Sequence, residues 1–273
     1  MSNVQGPSVA PDLYDERYYT LCEGYGEFVE EGGLGLSKRL EVALSLAEVK
    51  PGMQVLDLGC GRGEMLIQCA ARGARSWGVD YSPAAARIAR QAARHSPGDL
   101  EQRIASQVAN VKTLPFPGGV FDRVFMLDLV EHLYPWELDL ALAEARRVLR
   151  DGGRLVLHTM PNRWYYRFGY PLFRLVNRLR GRRLPANPRA RFEYNVQVHV
   201  NEQDVLRLRA SLRRAGLAPR VWVDNLSAQA LGQGLLARIL GRIVRLPGFR
   251  LFLCNDLLAV ATKQPSGPGP ATG

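Results

Sequence analysis

Apolar residues recur along this chain in two rhythms. Short runs rich in Val and Leu are separated by longer stretches in which apolar positions return every three or four residues. The runs are Val55-Leu56-Asp57-Leu58, Trp77-Gly78-Val79-Asp80, Phe121 to Leu127 and Leu155-Val156-Leu157, with Leu251 to Lys263 near the end. Ser37 to Leu46 and His199 to Gly216 are two of the helical stretches. Strands of this kind alternating with helices predict a parallel sheet covered on both faces, the doubly wound α/β arrangement. No repeat of fixed period interrupts the pattern. A chain of 273 residues can bury a full core, and one catalytic domain is expected.

The first of these strands runs straight into Gly59-Cys60-Gly61-Arg62-Gly63. Glycines there permit positive φ and let a ligand approach the backbone with no Cβ in the way, at the start of a helix. A dinucleotide fingerprint needs a third glycine where this chain has Glu64, and a carboxylate at that point would repel a pyrophosphate. That spacing disfavours a nicotinamide oxidoreductase, which stays as the alternative from another class.

Asp57, the Gly-Cys-Gly-Arg-Gly run and Asp80 closing the next strand resemble the motifs of the class I S-adenosylmethionine (SAM) methyltransferases. The likeness continues through Leu114-Pro115-Phe116 with Phe121-Asp122, the Asp151-Gly152-Gly153 turn, and the late helix ending in Ala215-Gly216-Leu217. It is most specific between Val55 and His158, and its pattern is nearest to the type 11 methyltransferases of small molecules and lipid precursors, including ubiquinone-biosynthesis O-methyltransferases. The resemblance implies a Rossmann-like, mostly parallel seven-stranded sheet with helices on both faces and a helical cap. It implies SAM as cofactor and a binding set of Asp57, Gly59, Cys60, Gly61, Asp80, Tyr81, Asn110, Val111 and Asp128. In that set the loop holds the methionine part and Asp80 the ribose hydroxyls. Asn110 stands where the family usually has an aspartate near the adenine amino group; its side-chain oxygen can accept the same hydrogen bond, and it equally suits a polar turn.

Asp128, Glu131 and His132 follow the fourth strand, at the end of the sheet where doubly wound folds bind ligands. A helical turn would bring all three together. The ubiquinone O-methyltransferases carry E-x-x-E-H here, associated with a divalent cation and a catechol substrate. Without a cation, the Glu-His pair shapes the pocket or His132 serves as general base. Asp128, Glu131 and His132 are taken as the catalytic set, and no metal ligand is assigned. Tyr18 or Tyr19 is expected near the cofactor, with Arg39 or Arg62 as candidates for its carboxylate.

Charge is distributed unevenly. The net charge is +10, yet Gly152 to Phe192 holds ten Arg and no acid, and Asn225 to Asn255 four Arg and no acid. Within residues 161–192, Tyr165, Phe168, Leu172, Val176 and Leu179 fall on one side of a helical wheel, with Arg163, Arg167, Arg174 and Arg178 opposite. Pro171 should split this element into two pieces and start the second. Leu235 to Leu246 repeats the theme, with Arg238, Arg242 and Arg245 facing away from Leu236, Ile239, Leu240 and Ile243. Such elements suit a cap with an ordinary packed face, a helix on an anionic membrane surface, or nucleic acid. RNA is disfavoured because no RNA-binding module is recognisable.

Residues 1–48 are therefore expected to form an N-terminal tail and helical cap, 49–263 the methyltransferase domain, and 264–273 a disordered tail. Cys22, Cys60, Cys69 and Cys254 have no metal spacing, and Met1 to Pro11 lacks the features of a signal peptide. A reduced cytoplasmic protein is expected, peripheral at the inner membrane face if the Arg-rich helices dock there. The expected acceptor is a small or amphiphilic molecule, methylated at oxygen. An RNA-directed methyltransferase is a further alternative. Oligomeric state is not legible.

Overall fold

A computed structural model describes residues 6–22, 24–31, 33–191, 194–226 and 246–265. The second basic stretch expected to be amphipathic, up to Arg245, and all but the start of the C-terminal tail lie outside the described residues.

Seven strands form one sheet in the order β3-β2-β1-β4-β5-β7-β6. They are β1 (Gln54–Leu58), β2 (Arg75–Asp80), β3 (Ile104–Val108), β4 (Phe121–Leu127), β5 (Leu149–Thr159), β6 (Leu217–Asp224) and β7 (Asp256–Lys263). The first five are parallel, and β7 runs antiparallel between β5 and β6. Chain order reverses between β1 and β4, so the switch point of the sheet lies beside the glycine loop.

Alternation along the central strands sends side chains into two cores. Val55, Phe125 and Val156 pack with Ala43, Leu44 and Ala47 of α3 (Lys38–Ala47) and with Met65 of α4 (Glu64–Ala71). Leu56, Val124, Met126 and Leu155 face the other way, against Leu138, Ala141 and Leu142 of α6 (Pro135–Val148) and Leu208 and Leu212 of α9 (Val205–Arg214). All of β4 is buried, as a strand in the middle of a doubly covered sheet must be. Each buried Val, Leu, Met or Phe side chain contributes roughly 1.5–3 kcal/mol.

Helix α5 (Pro83–His95) follows β2, with Ser82 accepting a hydrogen bond from the Ala85 N–H as its N-cap. Gly63 opens α4 at φ 88°; a Cβ there would stand 3.2 Å from the Ala89 Cα of α5. The two helices meet closely because that position is glycine.

The N-terminal residues fold over the carboxyl end of the sheet. Helices α1 (Glu16–Leu21) and α2 (Tyr25–Glu30) precede α3, and Val9, Tyr14 and Tyr19 are buried beside Ala84 and Ala85. Arg62 secures this cover by donating to the carbonyls of Tyr19 (2.9 Å) and Cys22 (3.4 Å).

Two expectations change. The last strand begins at Asp256, because Pro247–Leu253 is a short helix, here α10, opened by Pro247. The late helix begins only at Val205, where the Asp204 carboxylate accepts from the N–H groups of Leu206 and Arg207; the preceding α8 is a single turn, Asn195–Val198. After β5, a widened turn over Tyr165–Gly169 leads into α7 (Tyr170–Leu179), with Pro171 in its first turn.

The apolar side of α7 is not the side most deeply packed. Tyr170 and Asn177 are its buried residues, seven positions apart on one side. Phe168, Leu172 and Leu179 are exposed. A helical wheel separates an apolar side from a polar one, but Asn177 can turn inward because its amide donates to the Phe173 carbonyl.

Candidate functional site

A cavity of about 280 Å³ opens at the carboxyl ends of β1, β2 and β4. Of the residues expected to bind cofactor, Gly59, Gly61, Asp80, Tyr81, Asn110, Val111 and Asp128 line it; Tyr18 and Tyr19 line it from the cover. Gly59 has φ 74°, and a Cβ there would meet Leu129 Cδ1 at 3.1 Å. The loop can therefore be no bulkier at that point.

Asp80 sits at the floor with both oxygens engaged: Oδ2 accepts from Gly61 N–H (3.1 Å) and Oδ1 from Ser82 N–H (2.9 Å). Burial pushes its pKa up to about 6, although these N–H groups pull the other way. Asp57 and Cys60 lie outside the cavity lining. The Cys60 sulfur is tucked against Gly78. Asp57 is buried with Oδ1 unpartnered, and burial, helped by the Glu64 and Asp80 carboxylates, raises its pKa to about 8. Glu64, at the third-glycine position, is paired with Arg62 at 2.6 Å. Arg62 is thereby committed to Glu64 and the cover and does not line the cavity. Asn110 Oδ1 accepts from the Lys112 N–H (3.0 Å), the turn geometry that was one of its two expected roles.

Asp128 and His132 both line the cavity, but the Asp128 carboxylate bonds to residues other than Glu131 and His132. Asp128 adopts φ 52°, a conformation that costs a non-glycine residue about 1–3 kcal/mol and persists only where its surroundings impose it. They do: Oδ2 accepts from Arg39 Nε (2.6 Å) and Oδ1 pairs with His158 Nδ1 (2.5 Å). The other nitrogen of His158 meets Asp256 Oδ1 at 3.0 Å, and Asp256 Oδ2 accepts from the Leu226 N–H. Burial raises the Asp128 pKa, but Arg39 and His158 outweigh it and hold the carboxyl well below the usual range. Burial likewise disfavours charged His158, yet the two aspartates hold its pKa up at about 10. Four alternating charges thus run from α3 through the loop to β5 and β7. Arg39 serves this line.

Glu131 and His132 sit in a single tight turn, Val130–His132. Glu131 Oε2 accepts from Thr159 Oγ1 (2.7 Å), and burial with the nearby Asp128 charge raises its pKa to about 8. His132 lines the cavity, with its Nδ1 3.0 Å from the Tyr14 hydroxyl. In the tautomer protonated at Nε2, Nδ1 accepts from the Tyr14 hydroxyl. Burial first, then His199, lower its pKa to about 3, so the imidazole is neutral at physiological pH. The group that comes together here is Glu131, His132 and His199, whose donor atoms lie within 4.8 Å of one another. His199 and Tyr14 were not singled out by sequence; they reach His132 from 67 positions later and 118 earlier.

Residues 56–157 match the family model described as "Methyltransferase domain". The chain is 34% identical over 206 residues to the ubiquinone/menaquinone biosynthesis C-methyltransferase UbiE of Bordetella avium, a match covering 69% of this chain and 73% of that one. The chain belongs to the class I SAM-dependent methyltransferases. It is also 32% identical over 160 residues to the 27-O-demethylrifamycin SV methyltransferase of Amycolatopsis mediterranei, spanning 56% of each chain. In fold it is similar to a geranyl diphosphate C-methyltransferase of Streptomyces coelicolor A3(2), solved with Mg²⁺, geranyl diphosphate and S-adenosylhomocysteine, at TM-score 0.59 and 18% identity over 95% of this chain and 90% of that one. The chain is therefore a SAM-dependent methyltransferase, not a nicotinamide oxidoreductase. The cavity fits the cofactor: Gly59 and Gly61 line it, Asp80 stands at the end of β2, and the buried Asp57 oxygen beneath the loop lacks a partner that a cation would supply.

Proposed function

We propose that this enzyme transfers a methyl group from SAM to an oxygen of a small-molecule or lipid-precursor acceptor. SAM supplies an electrophilic methyl on a sulfonium. The chain's part is to align the acceptor, exclude water and receive a proton. The observation that carries the oxygen assignment is His132 in the cavity wall, neutral and with its Nδ1 3.0 Å from the Tyr14 hydroxyl. Its low basicity is no obstacle. An alcohol oxygen that has begun to bond to the methyl is far more acidic than an imidazolium, so its proton passes to the Tyr14 oxygen as the C–O bond forms, while the Tyr14 hydroxyl proton passes to His132 Nδ1. Asp57, Gly59, Cys60, Gly61, Asp80, Tyr81, Asn110, Val111 and Asp128 are assigned to cofactor binding, Asp57 and Cys60 from beneath the loop. Glu131 is assigned to shaping the acceptor side of the cavity. Residues 49–263 are assigned to the catalytic domain, joined on one face of the sheet by α3, and the described residues before α3 to its cover.

Transfer to carbon is the second reading, favoured by the likeness to UbiE over most of this chain. Methyl-labelled SAM and a panel of phenols, alcohols and prenylated quinols, read by NMR of the product methyl, separate the two. An O-methyl product, with kcat lowered about 10²–10⁴-fold in His132→Gln and SAM affinity kept, is expected. A C-methyl product, or full activity in that variant, overturns the oxygen assignment. The enzyme is further placed in the cytoplasm at the anionic inner face of the membrane, where an amphiphilic acceptor would be presented to it.

A further inference from the structure

Helix α7 stands on the surface with its apolar side outward. Leu172, Leu175 and Leu179 follow one another at i, i+3 and i+7 and are 43%, 54% and 79% exposed. At 100° per residue they lie directly opposite the buried pair Tyr170 and Asn177. They form a convex ridge. Phe168, in the preceding turn, is half exposed and touches Phe252 of α10 with ring centroids 5.4 Å apart. Phe249, also on α10, is 53% exposed. Scattered exposed leucines are ordinary; a ridge at helical spacing that ends in aromatic rings is not.

Beside the ridge runs a groove of about 480 Å³ lined by Pro171, Arg174, Leu175, Arg178, Arg182, Arg183 and Leu184. Arg174 Nε donates to the Leu184 carbonyl (3.2 Å), and none of the four arginines is in an ion pair among the described residues. The sequence has no acid from Gly152 to Phe192. The groove is thus uniformly cationic, with planar guanidinium donors suited to phosphate oxygens.

We propose that α7 and its groove form a docking site for an anionic phospholipid surface, the leucine ridge entering the acyl boundary while headgroup phosphates occupy the arginine groove. The inference rests on the membrane placement above but not on the methylated atom. A second copy of the chain would set one arginine groove against another. RNA would satisfy the arginines but leave the ridge in water. A protein partner would bury a ridge of this shape only by offering an acidic concave face, whereas lipid offers negative charge and apolar depth together.

The test is sedimentation of the full-length protein with vesicles of phosphatidylcholine alone or of equal parts phosphatidylcholine and phosphatidylglycerol. SAM affinity and melting temperature of each variant serve as folding controls, and no turnover is needed, so failure of the lipid site and failure of the methyl-transfer reading are distinguishable. Wild type should bind only the anionic vesicles, with binding weakened by salt. Arg178→Gln/Arg182→Gln/Arg183→Gln should lose on the order of a hundredfold in partitioning, roughly fivefold per arginine. Leu172→Gln/Leu175→Gln/Leu179→Gln should lose at least about tenfold. Soluble pyrophosphate that binds the protein while anionic vesicles do not would assign the groove to a free phosphate compound and overturn the proposal. So would unchanged vesicle binding by the leucine variant, a lower melting temperature for it without loss of lipid binding, or a dimer or RNA complex that it abolishes.

Discussion

Replacing His158 with leucine tests the buried charge line that holds the Asp128 loop. His158 is 1% exposed, and its partners Asp128 and Asp256 stand at 2.5 and 3.0 Å. Its pKa rises from 6.5 to about 10 on folding, and removing one member of such a buried pair leaves a carboxylate without compensation, at a cost of roughly 3–5 kcal/mol. With an m-value of about 3 kcal/mol/M for a chain of this size, the urea midpoint should fall by roughly 1–1.7 M. The pH dependence has a definite sign. A folded pKa above the unfolded value contributes stability that is complete below pH 6.5 and is lost as pH rises through about 10. Asp128, with its folded pKa depressed, contributes above 3.8 and loses that contribution as pH falls through its folded value. Wild type and variant should therefore differ most at about pH 6 and less at about pH 9.5. Replacing Asp256 as well, by valine, should recover part of the loss by removing the orphaned charge. A deficit under about 1 kcal/mol, or one equal at both pH values, would refute the reasoning.

Asp57→Asn should raise the melting temperature of the cofactor-free protein near neutral pH. A folded pKa raised from 3.8 to about 8 costs stability across that interval, and each kcal/mol recovered is worth about 2–4 °C. The same substitution should weaken SAM at least about tenfold in calorimetry; a lower melting temperature would show that the carboxylate is satisfied. Asp80→Ala should weaken SAM by about 10–100-fold, the loss of charge-assisted bonds to hydroxyls, and an unchanged Kd would remove Asp80 from the ribose.

The glycine loop and Asp80 were legible because local chemistry restricts them. Positive φ at Gly59 and Gly63, with Leu129 and Ala89 close by, admits little else, and an acid at a strand end stays where the strand puts it. The rest of the site was illegible for a different reason. Arg39 lies 89 positions from Asp128, Asp256 98 from His158, and Tyr14 118 from His132; no periodicity joins such pairs, which exist only once the sheet is assembled. Local spacing put Asp128 beside Glu131 and His132 but gave no sign that its carboxylate would be bonded by Arg39 and His158. In α7 the wheel separated two sides correctly, but packing was decided by what Tyr170 and Asn177 could reach, including the Pro185 carbonyl bonded by the Tyr170 hydroxyl.

The strained Asp128 backbone links these elements. Its N–H donates to the His158 carbonyl (3.0 Å) while its carboxylate is held by the His158 ring and Arg39, so the residue is fixed to β5 at two points and to α3 at a third. Leu129, the next residue, lies over Gly59, and the turn carrying His132 starts immediately after it. The distance between the glycine loop and His132 is therefore set in part by the ionic contacts that hold Asp128. Methyl transfer is a single displacement in which alignment supplies much of the rate, and a misplacement of about 1 Å can cost on the order of a hundredfold. Under the proposed transfer to oxygen a weak base suffices, since the proton becomes acidic only when the reacting atoms are already in line. The stability held in the Arg39–Asp128–His158–Asp256 line and the efficiency of the transfer are in this way the same geometric requirement, met by residues that need not touch the acceptor.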